Sequence, residues 1–132
     1  MRLTSSGNVG IGTSTPTNAK LVINGAYYSP IVVKGNCTGA VTIDWSAGNT
    51  QHCILTGNVT FTFTNGQSGG SYKVVLKQDG AGSHTVTWPG TVRWGSLGTP
   101  SLTITPLKTD YVGFIYNGVD STYDGVAFNA NY

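Results

Sequence analysis

Charge is what this 132-residue chain has least of: Lys, Arg, Asp and Glu together make up 9% of it, and Glu is absent altogether. An ordinary soluble domain carries roughly 25%. Seven scattered Lys and Arg against five Asp leave a net charge of +2, with no two cations adjacent. That excludes the electrostatic footprint of a nucleic-acid binder. Long apolar runs are missing too. No stretch approaches the roughly 20 residues of a membrane-spanning helix, and the opening MRLTSSGNVG has no apolar core of the about 7 to 15 residues that a secretory signal needs. The reading is a soluble product made in the cytoplasm, with neither nucleic acid nor membrane insertion in its repertoire. Helical periodicity is equally scarce, because every candidate stripe is interrupted by Gly, Pro or a β-branched run. Cysteine is limited to Cys37 and Cys53. They could bracket a hairpin and pair, but a cytoplasmic origin favours two reduced thiols acting as small buried hydrophobes.

What is abundant is glycine, with 19 residues, and threonine, with another 19. The surface must therefore be largely hydroxyl, amide and backbone, with little charge repulsion to hold copies apart, and an oligomer is expected. From Val41 to Trp94 the segments VTIDW, HCILTG, VTFTFTN, SYKVVLKQDG and SHTVTW place every second side chain on one face, as half-buried strands require. Turn signals recur at about 8 to 12 residues, the spacing of an all-β antiparallel sandwich or small jelly-roll-like barrel. Asp79-Gly80 and Asn117-Gly118 suit positive backbone dihedrals in hairpin turns, and Pro89 ends a strand. The chain closes with two aromatic strands, the second including Gly125 to Phe128. Residues 1–30, rich in Gly, Ser, Thr and Pro with LVI as their one strand candidate, read as an extended N-terminal arm. Residues 31–132 form the β-domain.

Catalytic constellations are hard to assemble. GNVGIG at Gly7–Gly12 has neither the preceding strand nor the following helix of a phosphate loop. Asp44, Asp79, Asp110, Asp120 and Asp124 are the whole acid inventory, with no pair evidently placed for glycoside hydrolysis; Asp120 and Asp124 alone are a weak calcium signal. His52 and His84 lie in strand patterns without zinc spacing, and Cys53 points to the opposite face from His52. The sequons at Asn36 and Asn58 need a secretory route that nothing else suggests. The reading is a non-enzyme with no catalytic residues, no metal and no cofactor. Aromatics are the better candidates for binding. Trp45 and Trp88 are expected in the core, while Trp94 and Tyr123 are expected at the surface; Trp94, Tyr116 and Tyr123 are the candidates for stacking on sugars or a partner.

The segments GAVTIDWSAGNTQHCILTGNVTFTFTN, SYKVVLKQDGAGSHTVTWPGTVRWGSLGTPSLTITPLKTDYVGFIYNG and YDGVAFNANY resemble a β-rich module of bacteriophage tail-fibre, tail-spike and other virion appendage proteins. The resemblance spans residues 27–132. GNVGIGTSTPTNAKLVI is similar to a stem element of phage fibres, often found ahead of a self-cleaving chaperone domain; no such domain follows NANY, leaving a stand-alone fibre or decoration protein or the mature part of a longer one. The resemblance implies a structural virion protein: a homotrimeric fibre, spike or capsid decoration. Other capsid or tail proteins and a host-surface polysaccharide would be its partners. Attachment would run through the arm, with Val9, Ile11, Leu21 and Ile23 as its apolar contacts. The alternative is a carbohydrate-binding module of a bacterial surface protein, which would need exposed coplanar aromatics and a bound calcium; exposure of Trp94 with Tyr116 or Tyr123 on one face would favour it.

Overall fold

The computed structural model describes residues 1–17 and 19–132. Three short strands, β1 (Arg2–Leu3), β2 (Val9–Ile11) and β3 (Leu21–Ile23), form a small sheet in that order. A large sheet contains β4 (Val32–Asp44), β5 (Thr50–Thr64), β6 (Ser71–Gln78), β7 (Val86–Thr87), β8 (Val92–Arg93), β9 (Thr109–Asn117) and β10 (Thr122–Asn129). Its order is β4-β5-β6-β9-β10-β8, with β7 added beside β5. The fold is all-β, as expected, and the large sheet curls into a half-barrel.

The pairing is mixed where the sequence pattern suggested antiparallel strands. β4 lies parallel to β5, and β5 parallel to both β6 and β7, whereas β6–β9 and β9–β10 are antiparallel. The cause is curvature. Val32 pairs with Gln51 and Asp44 with Thr64, although only Trp45–Asn49 connect the two strands. This is possible because β4 curls back on itself: a side chain at Gly48 would meet Val32, and the Gln51 side-chain amide donates to the Asp44 carbonyl at 2.6 Å. Successive passes of about 20 residues thus stack as the coils of a solenoid do. The register shifts between Val33 and Gly35 and between Cys37 and Gly39. Gly35 and Gly39 have φ of 77° and 65° there, a left-handed conformation that glycine adopts without steric cost.

The coils are tied by a disulfide between Cys37 and Cys53, which corrects the expectation of reduced thiols. Both side chains face the interior of adjacent parallel strands, with Gly35 opposite Cys53 and Cys37 opposite Leu55; what they bracket is one coil rather than a hairpin. The inward faces carry an aromatic core. Trp45 stacks on Tyr72 at 4.6 Å, and Phe63 packs edge-on against Phe114 and Tyr123 at 5.3 and 5.2 Å. Trp45 is buried and Trp88 half-buried against the cluster. Buried amides close the coil ends: Gln78 donates to the carbonyls of His84 and Thr103 and accepts from the His84 amide.

The turns also differ in detail. In the β9–β10 hairpin, Asn117 pairs with Thr122, and the residue with positive φ is Ser121, at 57°. Gly118 is needed for space, because a side chain there would strike Ser68. After Gln78, positive φ falls at Gly82 and Ser83 rather than at Gly80, since the Asp79 carboxylate accepts the amides of Ala81 and Gly82 and thereby shapes the loop.

Candidate functional site

Between Gly125 and Ala127 the β9–β10 register slips by one residue, leaving Val126 as a bulge that is 58% exposed. Bulges re-aim side chains and bend the strand that carries them. Here the bulge residue belongs to two clefts. One, of about 350 Å³, opens at the rim of the half-barrel and is bounded by Trp94, Pro100 and Phe128. The Trp94 ring lies on Gly125, where any side chain would collide with it, and its edge contacts Trp88 and Phe114 at 5.3 and 5.6 Å.

The second cleft, of about 390 Å³, lies on the outer face of the sheet. Strand alternation builds it: β6 turns Ser71, Lys73, Val75 and Lys77 outward, and β9 turns out Tyr111, Gly113 and Ile115. Gly113 forms the floor, directly between Lys73 on β6 and Ala127 on β10; a side chain there would crowd Ala127. Tyr111 and Ile115, each 41% exposed, are the walls, and the Tyr132 ring meets Tyr111 edge-on at 5.5 Å. Asn129 stands opposite Tyr111 in the register.

The sequence-predicted aromatics do not form one surface. Tyr123 is buried, at 4% exposure, which corrects the expectation that it is exposed. It faces inward on β10, its ring tilted at 44° against that of Tyr116 with centroids 4.6 Å apart, and burial pushes its phenol up from the ordinary value. Tyr116 and Trp94 are half-buried against the core. The coplanar platform that a sugar-stacking module would present from these three residues is therefore absent. The arm residues do come together: Val9 pairs with Leu21 and Ile11 with Ile23 across the parallel β2–β3 contact. Ile11 and Leu21 remain largely exposed.

The carboxylates are occupied structurally. Arg93 donates from Nε and Nη2 to the two oxygens of Asp124, at 2.8 and 3.1 Å, and its Nη2 lies 3.4 Å from Asp120. The Arg93 hydrogen bond holds the Asp124 carboxyl below its usual range, and the clamp fastens β8 and the hairpin loop to β10. Asp79 is lowered chiefly by the Gly82 amide and also meets the His84 ring at 3.0 Å. Asp44 is lowered by hydrogen bonds from Asn65 and Ser46. Buried Asp110 accepts the amides of Thr103 and Asn131. No group of three or more His, Cys, Asp or Glu able to hold a metal exists among the described residues.

The sequence pattern by itself does not single out Lys73, Gly113 or Tyr111. The available signal was the alternation of SYKVVLKQ and TDYVGFIYN, which sends these side chains to one face; what was invisible was that β6 and β9 are neighbours.

A coiled mixed sheet closed by an antiparallel hairpin, with its carboxylates engaged in turns and at strand edges, defines an all-β module. The sequence profile of the family described as "putative phage tail fibre C-terminal domain" matches residues 37–121, almost two thirds of the chain, and the chain belongs to that family. No curated protein and no solved structure matches it.

Proposed function

We propose that this chain is a non-enzymatic structural component of a phage tail fibre that assembles as a homotrimer within the virion. In this reading the arm attaches to other virion proteins of the tail or capsid, and the β-domain is displayed toward a host-surface polysaccharide. The observation that carries it is the family match over residues 37–121. Two features support the rest. The cross-strand apolar pairs of the arm, Val9 with Leu21 and Ile11 with Ile23, are incompletely covered by their own small sheet and are suited to burial against further chains. A surface so poor in charge also presents little repulsion between copies. No cofactor is required. The test is the solution mass by light scattering, for the full chain and for a chain lacking residues 1–25, together with particle attachment. A trimeric full chain, and a shortened chain that stays folded but no longer attaches, are expected. A full chain that is monomeric at micromolar concentration refutes the trimer, and attachment retained without the arm refutes its role.

A further inference from the structure

We propose that an acidic polysaccharide binds along the outer face of β6 and β9, with Lys73 and Tyr111 contacting it in the cleft over Gly113 and Lys77 contacting it farther along β6, beyond the cleft. The inference rests on the host-surface reading above and names the site and the ligand class.

Its first support is charge. Lys73 and Lys77 project from the same face of β6, about 13 Å apart at the ordinary rise of a strand. Neither ammonium has a hydrogen-bond or ion-pair partner among the described residues. The other titratable groups on this face do not neutralise them. His52, beside Val75 in the β5–β6 register, is held below its usual value by burial and by Lys77 and carries no negative charge. Asp124, opposite Ile115, is taken by Arg93. Two unpaired cations at this separation suit a polymer with recurring negative charge better than a single small anion.

The second support decides between a polymer and another copy of the protein. Covering this face with a second chain would desolvate two ammonium groups, which is costly unless carboxylates meet them. All five Asp are already engaged: Asp44 by Ser46 and Asn65, Asp79 by its loop amides and His84, Asp110 by Thr103 and Asn131, and Asp120 and Asp124 by Arg93. A second copy brings seven cations against five Asp, each already hydrogen-bonded within its own chain, so a polyanion from outside complements the two lysines better than another copy does. The remaining lining fits a sugar. Tyr111 and Ile115 offer apolar surface to the C–H face of a pyranose, while Ser71 and Asn129 supply hydroxyl and amide groups for its oxygens. A nucleic acid would call for a longer cationic stripe.

The experiment titrates the full chain with polygalacturonate, alginate and hyaluronate, with neutral dextran as control, by calorimetry at low and at high salt. Binding of at least one acidic polymer, weakened by salt, and none of dextran, is expected. K73A/K77A should weaken it about tenfold or more, since each lost contact is a charged hydrogen bond, with unchanged melting and solution mass. Binding of none of the three acids, equal binding of dextran, or undiminished binding by K73A/K77A overturns the proposal. So does a change of mass in that variant, which would make the face a contact between copies. Labelled protein on host cells separates this from the broader reading. Equal attachment by wild type and K73A/K77A leaves host contact standing and removes the cleft; no attachment by either removes host contact itself.

Discussion

Residues 2–23 and 32–129 are written in the same vocabulary of short strands, threonines and glycines, yet they bury their apolar side chains to opposite degrees. In the large sheet Ile43, Leu55, Phe61, Val74, Val112 and Phe114 are almost wholly buried. In residues 2–23 Leu3, Ile11 and Leu21 are exposed, and among the described residues only Gly10 and Pro16 are buried. The extensive strand contacts run within each sheet. The difference is one of closure. A sheet that curls on itself and stacks coil on coil makes its own interior, whereas three strands of two or three residues cannot. The arm is therefore the region whose apolar surface stays exposed.

The contrast breaks most sharply at the centre of the large core. Trp45→Ala removes the ring that stacks on Tyr72 and contacts Phe63, and should cost about 3–5 kcal/mol, read as a lower midpoint in urea. Next is the cross-link: Cys37→Ser with Cys53→Ser, or a reductant, should cost about 2–4 kcal/mol. The loss should appear in thermal melts, and a melt insensitive to reductant would mean that the bond does not hold the coils. Gly125→Val, which drives a side chain into the Trp94 ring, should cost about 1–3 kcal/mol. At the other extreme, Leu21→Ser should change the melting of the β-domain by under about 0.5 kcal/mol while weakening self-association or particle attachment. A large fall in melting would show that the two regions are not independent.

The smallest effect is that of pH. His52 titrates below its unfolded value of 6.5 in the folded chain, and Asp44, Asp79 and Asp124 below 3.8. In each case the unfolded chain binds more protons, so stability rises with pH. The His52 contribution is complete above 6.5 and is lost as pH falls through its folded value; the carboxylate contribution is complete above 3.8 and is lost in stronger acid. Melting followed from pH 8 downward should show a shallow first decline that His52→Gln removes, leaving the acid limb in place.

Much of the fold was legible. Alternation located β5, β6, β9 and β10, LVI became β3, and Trp45 is buried as expected, although it stands one residue past the end of β4. Partner choice was not legible. Period-2 alternation is the same for parallel and antiparallel strands, so VTIDW and VTFTFTN could not announce that they stack side by side in one direction. For the same reason Cys37 and Cys53 could not be seen as neighbours across a coil. Tyr123 misled because turn-like GVDSTYDG surrounds it; the hairpin closes at Ser121, and β10 begins before Tyr123, turning it inward.

By itself, the sequence determined that this is a charge-poor protein of strands and glycine turns without amphipathic helical periodicity, and it carried the resemblance to phage fibres, because composition and period are local properties. The tertiary structure alone decided the parallel coiling, the Cys37–Cys53 bond and the burial of Tyr123. It also brought together Lys73, Gly113 and Tyr111. All of these depend on which strands lie side by side, and that is settled by how a curved sheet closes over its core.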